Sequence, residues 1–428
     1  MKVKLINRMV FAGENRSIRT PLQAALLLCF PMVCATNAQE ALMPRPEYSI
    51  APPAMQQYLT NEMDVFAPPG IAATVPSEAS PFQLGPVSFL PHVFYRFLSG
   101  DGIPAAGSNH VATTIQEIVP GILLNIGSHW SLDYTPTWRF YSSKQFSDTL
   151  DQNVILTGGT TYEDWILGLS QSYISSSTPL VETGTQTDQQ AWLTVLKASY
   201  RFNSKMTMDL TLNQNFVFAD NYNSYREWST LDWLNYQFWP RLDAALGAGF
   251  GYVNVDTGSD MSYEQLLARV RWRATDKISF QVHGGMEDRQ FLEGGASSLL
   301  NPVVGGLIQY QPFEVTKFSI TVDRTVAVSY FQNQVTEGTG VIGDLNQRLL
   351  KRLYLDLSGG YQIVKYVASN ASDTERRDNY YTFDVRLSCP FLKRGTAAVF
   401  YQYSDDSSTA PGFTFSSSQI GIEVGYRF

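Results

Sequence analysis

The sequence predicts an all-β fold, an antiparallel transmembrane β-barrel of about 18 strands (range 16–18), from three observations. First, apolar and polar residues alternate from residue 86 to the C-terminus. Second, many alternating runs hold about 10–13 residues, whereas soluble strands usually hold 5–6 and barrel strands need roughly 9–11. Third, short and long connections alternate between the runs, which is typical of outer-membrane barrels.

The segment 130–140 shows the alternation most clearly. Side chains on a strand point alternately to opposite faces, so every second residue shares a face. One face of this segment is apolar and carries Trp130, Leu132, Tyr134, Pro136, Trp138 and Phe140. The other is polar and carries Ser131, Asp133, Thr135, Thr137 and Arg139. We therefore expect an apolar face toward lipid and a polar face toward a lumen.

The alternating runs number eighteen, and their even count returns the C-terminus to the N-terminal side, as single-chain barrels require. Three of them alternate poorly: 152–162, 225–238 and 338–349. In order, the runs lie near 86–98, 111–126, 130–141, 152–162, 165–174, 189–202, 206–218, 225–238, 242–255, 263–274, 278–289, 300–310, 316–330, 338–349, 353–366, 379–389, 396–403 and 414–428.

The connections form two sets, which we assign to short periplasmic turns and longer extracellular loops. The short set is 127–129, 163–164, 203–205, 239–241, 275–277, 311–315, the residues around 351, and 390–395. The longer set is 99–110, 142–151, 175–188, 219–224, 256–262, 290–299, 331–337, 367–378 and 404–413. The sequence marks no loop as a constriction, although 175–188 is the longest of them.

The N-terminal region predicts an exported protein. Residues 22–35 are mostly apolar but too short to span a bilayer, and five basic residues precede them. Small residues around Ala38 favour cleavage there, so we assign 1–38 to a signal peptide. Residues 39–85 are rich in Pro and lack alternation, which favours a periplasmic linker over a plug inside the barrel. Residues 86–428 would form the barrel.

Composition excludes several classes of protein. Charged residues make up 16% of the chain and aromatic residues 13%, which excludes a disordered chain. The formal charge of −8 argues against a nucleic-acid partner. A chain with three Cys is not a disulfide scaffold, and a mean hydropathy of −0.14 is too polar for a bundle of membrane helices.

The residues do not point to an enzyme, a metal site or a cofactor. The chain has four His, at 92, 110, 129 and 283, and they share no metal-ligand spacing. Nucleophilic catalysis needs a His within hydrogen-bond reach of Ser and an acid. Ser is abundant enough for an accidental pairing, so we interpret each His as a solvated polar position. We expect no catalytic residue.

The predicted lumen face carries the informative charges. Inward acids and bases are nearly balanced, and Asp232 is counted among the acids. Two interpretations stay open: cross-strand ion pairs in a wet interior, or a basic ladder at 269, 271 and 273 that attracts anions or polyanionic sugar. The lumen-lining candidates are Arg269, Arg271, Arg273, Asp133, Arg139, Asp384 and Arg386.

The last strand resembles the sorting signal of Gram-negative outer-membrane barrels. That signal has a polar residue, a Gly two positions later, and then a hydrophobic and two aromatic residues at alternate positions, the last of them terminal. Gln419, Gly421, Val424, Tyr426 and Phe428 occupy its positions. The resemblance implies recognition by the barrel-assembly machinery and a location in the outer membrane.

More broadly, residues 86–428 resemble the β-barrel porin 2 family, which is similar to outer-membrane proteins of exopolysaccharide operons. The segments 301–306 and 348–353, the Pro-rich lead-in and the length carry this resemblance. The family is called a porin by analogy. A barrel of this size in outer-membrane lipid is too wide for side chains to fill, which favours passive passage of small polar solutes. The alternatives are a role in extracellular polysaccharide export, a barrel hydrolase, and a structural barrel with an occluded lumen.

Overall fold

The computed structural model describes residues 82–101, 111–292, 298–368 and 376–428. The predicted signal peptide 1–38 and most of the predicted linker 39–85 lie outside these residues. No helix in the described ranges has the length and apolar character needed to cross a membrane.

The described residues form nineteen strands. In chain order they are β1 (Phe82–Leu84), β2 (Val87–Asp101), β3 (Ala112–Ile126), β4 (Trp130–Tyr141), β5 (Thr149–Tyr162), β6 (Trp165–Ser176), β7 (Gln189–Arg201), β8 (Met206–Ala219), β9 (Tyr225–Trp239), β10 (Leu242–Val255), β11 (Met261–Trp272), β12 (Ile278–Phe291), β13 (Leu299–Phe313), β14 (Thr316–Val328), β15 (Gln334–Leu349), β16 (Leu353–Ala368), β17 (Arg376–Phe391), β18 (Gly395–Ser408) and β19 (Phe415–Arg427).

Strands β2–β19 form a closed antiparallel barrel of eighteen strands. Each pairs with the next in sequence, and β19 pairs with β2 from Ser418↔Asp101 to Arg427↔His92. Closure satisfies the backbone N–H and C=O groups that an open edge would leave without partners. The predicted fold class is therefore confirmed, including the three runs whose alternation is poor.

One short strand lies where the sequence predicts a linker without alternation. Residues Phe82–Leu84 form β1 and pair with the start of β2. The turn between them is 85–86, and Gly85 has φ +58°, a left-handed conformation that favours glycine. Gly85 therefore allows the chain to reverse its direction in a tight turn just before the first barrel strand begins at Val87.

The connections alternate in length, as predicted. The eight connections on one rim hold two to five residues each, and we call this rim the short-turn end. The nine on the other rim hold five to twelve residues, and we call it the long-loop end. The longest of them, 177–188, lies between β6 and β7.

The exterior of the barrel is apolar and carries two aromatic girdles, as a bilayer requires. Leu246, Leu266 and Ile420 are each more than 60% exposed on the outer face. At the short-turn end the aromatic pairs include Trp165–Tyr200, Tyr236–Phe238, Trp272–Phe280, Tyr310–Phe318 and Tyr426–Phe428. Nearer the long-loop end they include Tyr173–Trp192, Phe216–Trp228 and Tyr361–Tyr381.

Asp232 departs from the prediction that it faces the lumen. On β9 the exposed apolar residues Trp228, Leu234 and Tyr236 face outward, and Asp232 shares their face. The buried Trp233 takes the inward position instead. The prediction was wrong because this run alternates poorly, and its register is set by pairing with β8 and β10.

Part of the interior is apolar, which alternation alone does not predict. At the long-loop end Val253, Val335, Met261 and Tyr330 are at most 4% exposed and pack in one cluster inside the barrel. A second cluster of Leu98, Ile115, Phe146 and Phe400 lies near the closing seam. These clusters narrow the wide interior that porin-sized barrels otherwise have.

Candidate pore and its constriction

A continuous network of ion pairs lines the lumen on both sides of the closing seam. Arg139 lies 2.9 Å from Glu117 and 2.7 Å from Asp151, and Arg96 lies 4.0 Å from both Glu117 and Glu423. Arg386 continues the chain by contacting Glu423 and, at 3.2 Å, Asp356. We call the set the seam network: Asp151, Arg139, Glu117, Arg96, Glu423, Arg386 and Asp356.

The seam network neutralises most of its own charge. Glu117 is 1% exposed and Arg139 4% exposed, so both depend on their partners. Loss of one partner from such a buried pair costs about 3–5 kcal/mol, because the other charge is left uncompensated. The predicted lumen candidates Arg139 and Arg386 therefore lie inside an ion-paired wall.

Arg269, Arg271 and Arg273 of the predicted basic ladder do not form one charged surface, because each has a different environment. Arg269 is buried, donates to Asn235 Oδ1 at 2.9 Å, and stacks on the Trp233 ring at 4.2 Å. Arg271 pairs with Asp243 at 2.5 Å, and both side chains are about a quarter exposed. Arg273 lies beyond the end of β11 and is exposed.

The remaining lumen candidates lie on the inner wall and are half-buried. Asp133 accepts a hydrogen bond of 2.7 Å from Thr135 Oγ1. Asp384 stands in register with Ser358 on β16 and Gln402 on β18. Asp133 lies on β4 and Asp384 on β17, so neither is beside Arg269 and Arg271 on β11.

Replacing Arg271 by Gln should make the channel more selective for cations. The substitution leaves the partly exposed Asp243 carboxylate without its cation, so the lumen gains one net negative charge. Reversal potentials across a salt gradient measure the change. The control is Arg324→Gln, since Arg324 pairs with Glu337 on the outer face and should leave selectivity unchanged. An unaltered reversal potential in Arg271→Gln would place this pair away from the narrow part of the pore.

The longest loop crosses the mouth of the barrel. It starts after β6, yet the Glu182 carboxylate accepts hydrogen bonds from Ser329 Oγ (2.6 Å) and Tyr330 N (2.8 Å). Ser329 and Tyr330 belong to the β14–β15 connection, eight strands away around the ring. Glu182 and Ser329 are 147 residues apart in the sequence. The two loops therefore meet across the long-loop end.

Arg376 holds the crossing loop from a third side. Its Nη1 donates to the Glu182 carbonyl oxygen at 2.7 Å, and it also pairs with Asp378. The guanidinium lies between the rings of Tyr366 and Phe413, at 4.4 and 3.6 Å from their centroids. Planar stacking and several donors suit Arg to this anchoring role.

The β14–β15 connection, residues 329–333, joins the other loops into one layer. Tyr330 Oη donates to Gln189 Oε1 at 2.7 Å, and the Tyr330 carbonyl accepts from Asn223 N at 2.9 Å. Asn333 Oδ1 accepts from Ser259 N at 3.1 Å. We call the layer formed by 177–188 and 329–333 the crossing loops, and we identify it as the candidate constriction.

Burial changes the acidity of the carboxylate at the centre of the crossing loops. Glu182 is 7% exposed, and desolvation raises the pKa of its carboxyl to about 7. Hydrogen bonds from Ser329 and Tyr330 and the positive charge of Arg376 oppose this shift, whereas Asp378 adds to it. The docked loop therefore binds a proton more tightly than an undocked loop does.

The crossing loops should open more readily as the pH rises. Because the docked pKa lies above the ordinary value of 4.5, docking is strongest below pH 4.5 and weakest above about pH 7. Each pKa unit of this shift corresponds to about 1.36 kcal/mol of docking free energy. Single-channel recordings across this range should show more open time at high pH. Glu182→Gln should abolish the dependence, and an identical pH response in that variant would contradict the assignment.

The described His residues do not assemble a catalytic triad. His129 contacts the neighbouring Ser128 at 2.7 Å in an exposed turn. His92 Nε2 lies 3.5 Å from Thr135 Oγ1, whose hydroxyl already donates to Asp133. His283 is buried in the wall on β12, and His110 lies outside the described residues. In the described ranges, no group of three or more His, Cys, Asp or Glu residues is arranged to hold a metal ion.

The C-terminal strand occupies the seam. Val424 and Phe428 face outward and are exposed, and the Phe428 N–H donates to the Pro91 carbonyl at 2.9 Å. Gly421 faces inward, where a Cβ would lie only 2.3 Å from the Phe400 ring and 2.5 Å from the Phe97 carbonyl. A glycine at this position is therefore needed for the seam to close, whatever else the motif does. Gln419 pairs with Gly100 toward the long-loop end of the seam, and Tyr426 contacts Phe428 at the short-turn end.

Sequence reasoning missed the main residues of the constriction. Glu182 and Ser329 lie in connections without periodicity, and neither forms part of a motif. Arg376 lies next to Arg377, but only Arg376 turns inward. The only available signal was the length of the loop between β6 and β7.

The comparisons with known proteins return solved structures only. No family model and no curated protein matches the chain. OccAB3 of Acinetobacter baumannii has a TM-score of 0.45 and 9% identity, over 79% of this chain and 99% of that one. OpdL of Pseudomonas aeruginosa has a TM-score of 0.44 and 14% identity, over 81% and 99%. The siderophore receptor PirA of P. aeruginosa has a TM-score of 0.42 and 9% identity, over 79% and 80%. These similarities are too weak to assign a function to this chain. The barrel fold is established by the strand pairing of the chain itself.

Proposed function

We propose that this protein is an outer-membrane channel through which small polar solutes pass passively. The observation that carries the proposal is a polar, solvent-exposed inner wall below the crossing loops. Lys197 and Lys317 face inward and are exposed there, and the Arg271–Asp243 pair is partly exposed. Charged side chains in this position need water, so a barrel of this size holds an aqueous lumen.

The exterior supports the membrane location. An apolar band between two aromatic girdles matches a bilayer, and a closed barrel is one of two backbone arrangements that can span one. We propose that the short-turn end faces the periplasm and the crossing loops face outside.

A Cys introduced at Thr409, in the exposed β18–β19 connection, should react with an impermeant reagent on intact cells when Cys389 is replaced by Ser. A Cys at Lys205 should not react, and the reverse pattern would invert the orientation.

The channel is tested by planar-bilayer conductance of the purified, refolded protein. Steady ohmic steps that grow with salt concentration would support passive passage. A barrel that inserts but never conducts would contradict it and favour a structural barrel with an occluded lumen. The crossing loops and the apolar cluster behind them are the observation that favours this second function.

A role in polysaccharide export predicts a different solute size. Liposomes that contain the protein should swell in small sugars and amino acids but not in oligosaccharides if the crossing loops limit the pore. Passage of long acidic oligosaccharides would instead favour export. Two of the three basic side chains of the predicted ladder already have partners, because Arg269 donates to Asn235 and Arg271 pairs with Asp243, and this weakens the case for binding polyanions.

A further inference from the structure

The outer face of strands β6–β9 carries polar residues among its leucines in the middle of the lipid-facing band. Gln171, Thr194 and Gln214 lie in register on β6, β7 and β8, and all three are half-buried on the exterior. Thr230 and Asp232 lie on the same face of β9, and Asp232 is the central residue of its strand. We call this set the outer polar patch.

The rest of the described exterior is different at this depth. On the other barrel strands the outward residues nearest the middle are apolar residues, Gly, Pro or Tyr. Examples are Ile118, Val322, Phe383 and Ile422. A carboxylate or amide among lipid tails has no solvent to bond with, so polar groups at this depth are rare and mark a specific contact.

Two groups of the outer polar patch keep unused hydrogen-bonding capacity. Asp232 Oδ1 accepts from Thr230 Oγ1 at 3.0 Å and from Thr211 N at 3.2 Å, at a place where the β8–β9 ladder is interrupted. Among the described residues, Asp232 Oδ2 and the Gln214 amide have no hydrogen-bond partner. Thr194 donates to Gln171 Oε1 at 2.6 Å, and Gln171 Nε2 donates to the Ser172 carbonyl at 3.3 Å, which leaves one N–H of this amide as a further donor.

A shallow apolar groove of about 550 Å³ adjoins the patch on the same exterior. Leu167, Leu196 and Leu210 line it, the Trp130 ring packs over Gly158, and Asp232 lies at one end. Trp192 and Trp228 stand beside it with exposed rings. The surface therefore combines a recess, projecting aromatic rings and polar groups without partners.

We propose that the outer polar patch is the contact surface for a second copy of this chain within the membrane. The amides and hydroxyls of the patch on a second copy can donate a hydrogen bond to Asp232, whereas the exterior Arg324 of β14 already pairs with Glu337. Gln and Thr both donate and accept, so a two-fold arrangement makes the patch self-complementary. The Trp rings of one copy would enter the groove of the other. The inference rests on the proposed membrane location but not on conductance.

Cysteine crosslinking in outer membranes tests the contact. With Cys389 replaced by Ser, Leu212→Cys places a thiol in the centre of the patch on a side chain that is 51% exposed. Oxidation should give a band of twice the chain mass. Ile422→Cys, 48% exposed at similar depth on β19, is the matched control and should stay monomeric. A crosslink to a different protein, or no crosslink at Leu212, would overturn the proposal.

The mass of the purified protein in mild detergent gives an independent measurement. The wild type should be a dimer, Asp232→Leu a monomer, and Asp232→Asn a dimer, because Asn keeps hydrogen-bonding groups of the same size. A monomeric wild type, or a trimer, would overturn the two-fold contact. If Asp232→Leu stays dimeric, the carboxylate is not part of the interface and the proposal is wrong. Conductance of the same preparations tests the channel separately.

Discussion

Shortening the loop 177–188 should raise single-channel conductance several-fold. Pro179 and Gln186 already pair as an isolated antiparallel bridge, so residues 180–185 can be replaced by Asn-Gly, a favoured two-residue hairpin turn. The change removes Glu182 and Thr183, which are buried within the crossing loops, and leaves the strand ends in place. The barrel should still fold, because the ladder between β6 and β7 is untouched.

The size of this effect follows from where the loop lies. It reaches the β14–β15 connection through Glu182 and is held by Arg376, so its removal clears the centre of the mouth. The measurement is conductance in planar bilayers at fixed salt. Asp276→Asn at the opposite rim breaks only an exposed pair with Arg241 and should leave conductance unchanged.

Two results would change the interpretation. Equal conductance in the wild type and the shortened variant would show that the narrow point lies elsewhere, for example at the seam network. A shortened variant that remains closed would place the block in the apolar cluster around Val253 and Val335. In the second case the barrel would be structural, and the proposed channel would be wrong.

Deleting Phe428 should sharply reduce assembly in cells while barely changing the finished barrel. The deletion removes one hydrogen bond to Pro91 and one edge-on contact with Tyr426. These contribute about 1 kcal/mol each. The ten residue pairs between β19 and β2 all remain. If the last strand is read by the barrel-assembly machinery, as its resemblance to the sorting signal implies, the loss in cells should far exceed this cost.

Two measurements separate recognition from stability. Outer-membrane levels and protease sensitivity report assembly in cells, and refolding yield in detergent reports stability. Phe202→Ala is the matched control, because Phe202 is 50% exposed at the same rim and packs edge-on against Tyr200. It should behave as wild type in both. Normal outer-membrane levels of the Phe428 deletion would argue against the signal, and poor refolding in detergent would point to stability.

The sequence by itself determined the architecture. Period-two alternation is a local property, so Trp130–Phe140 shows its lipid-facing side without any knowledge of its neighbours. Run length and the alternation of short and long connections are equally local, and together they predicted eighteen strands and the two kinds of rim. Weak alternation in the runs near 152–162 and 338–349 did not matter, because pairing on both sides holds such strands in register.

Only the tertiary structure decided which groups meet. Glu182 reaches Ser329 across 147 residues of sequence, and neither lies in a periodic segment. Whether Arg271 is a free cation or the partner of Asp243 depends on the pairing register of β10 and β11. The outward direction of Asp232 likewise follows from its neighbours on β9. Alternation specifies which face a strand residue takes when the pattern is strong, but contacts across a barrel depend on register, curvature and loop packing, which local patterns do not encode.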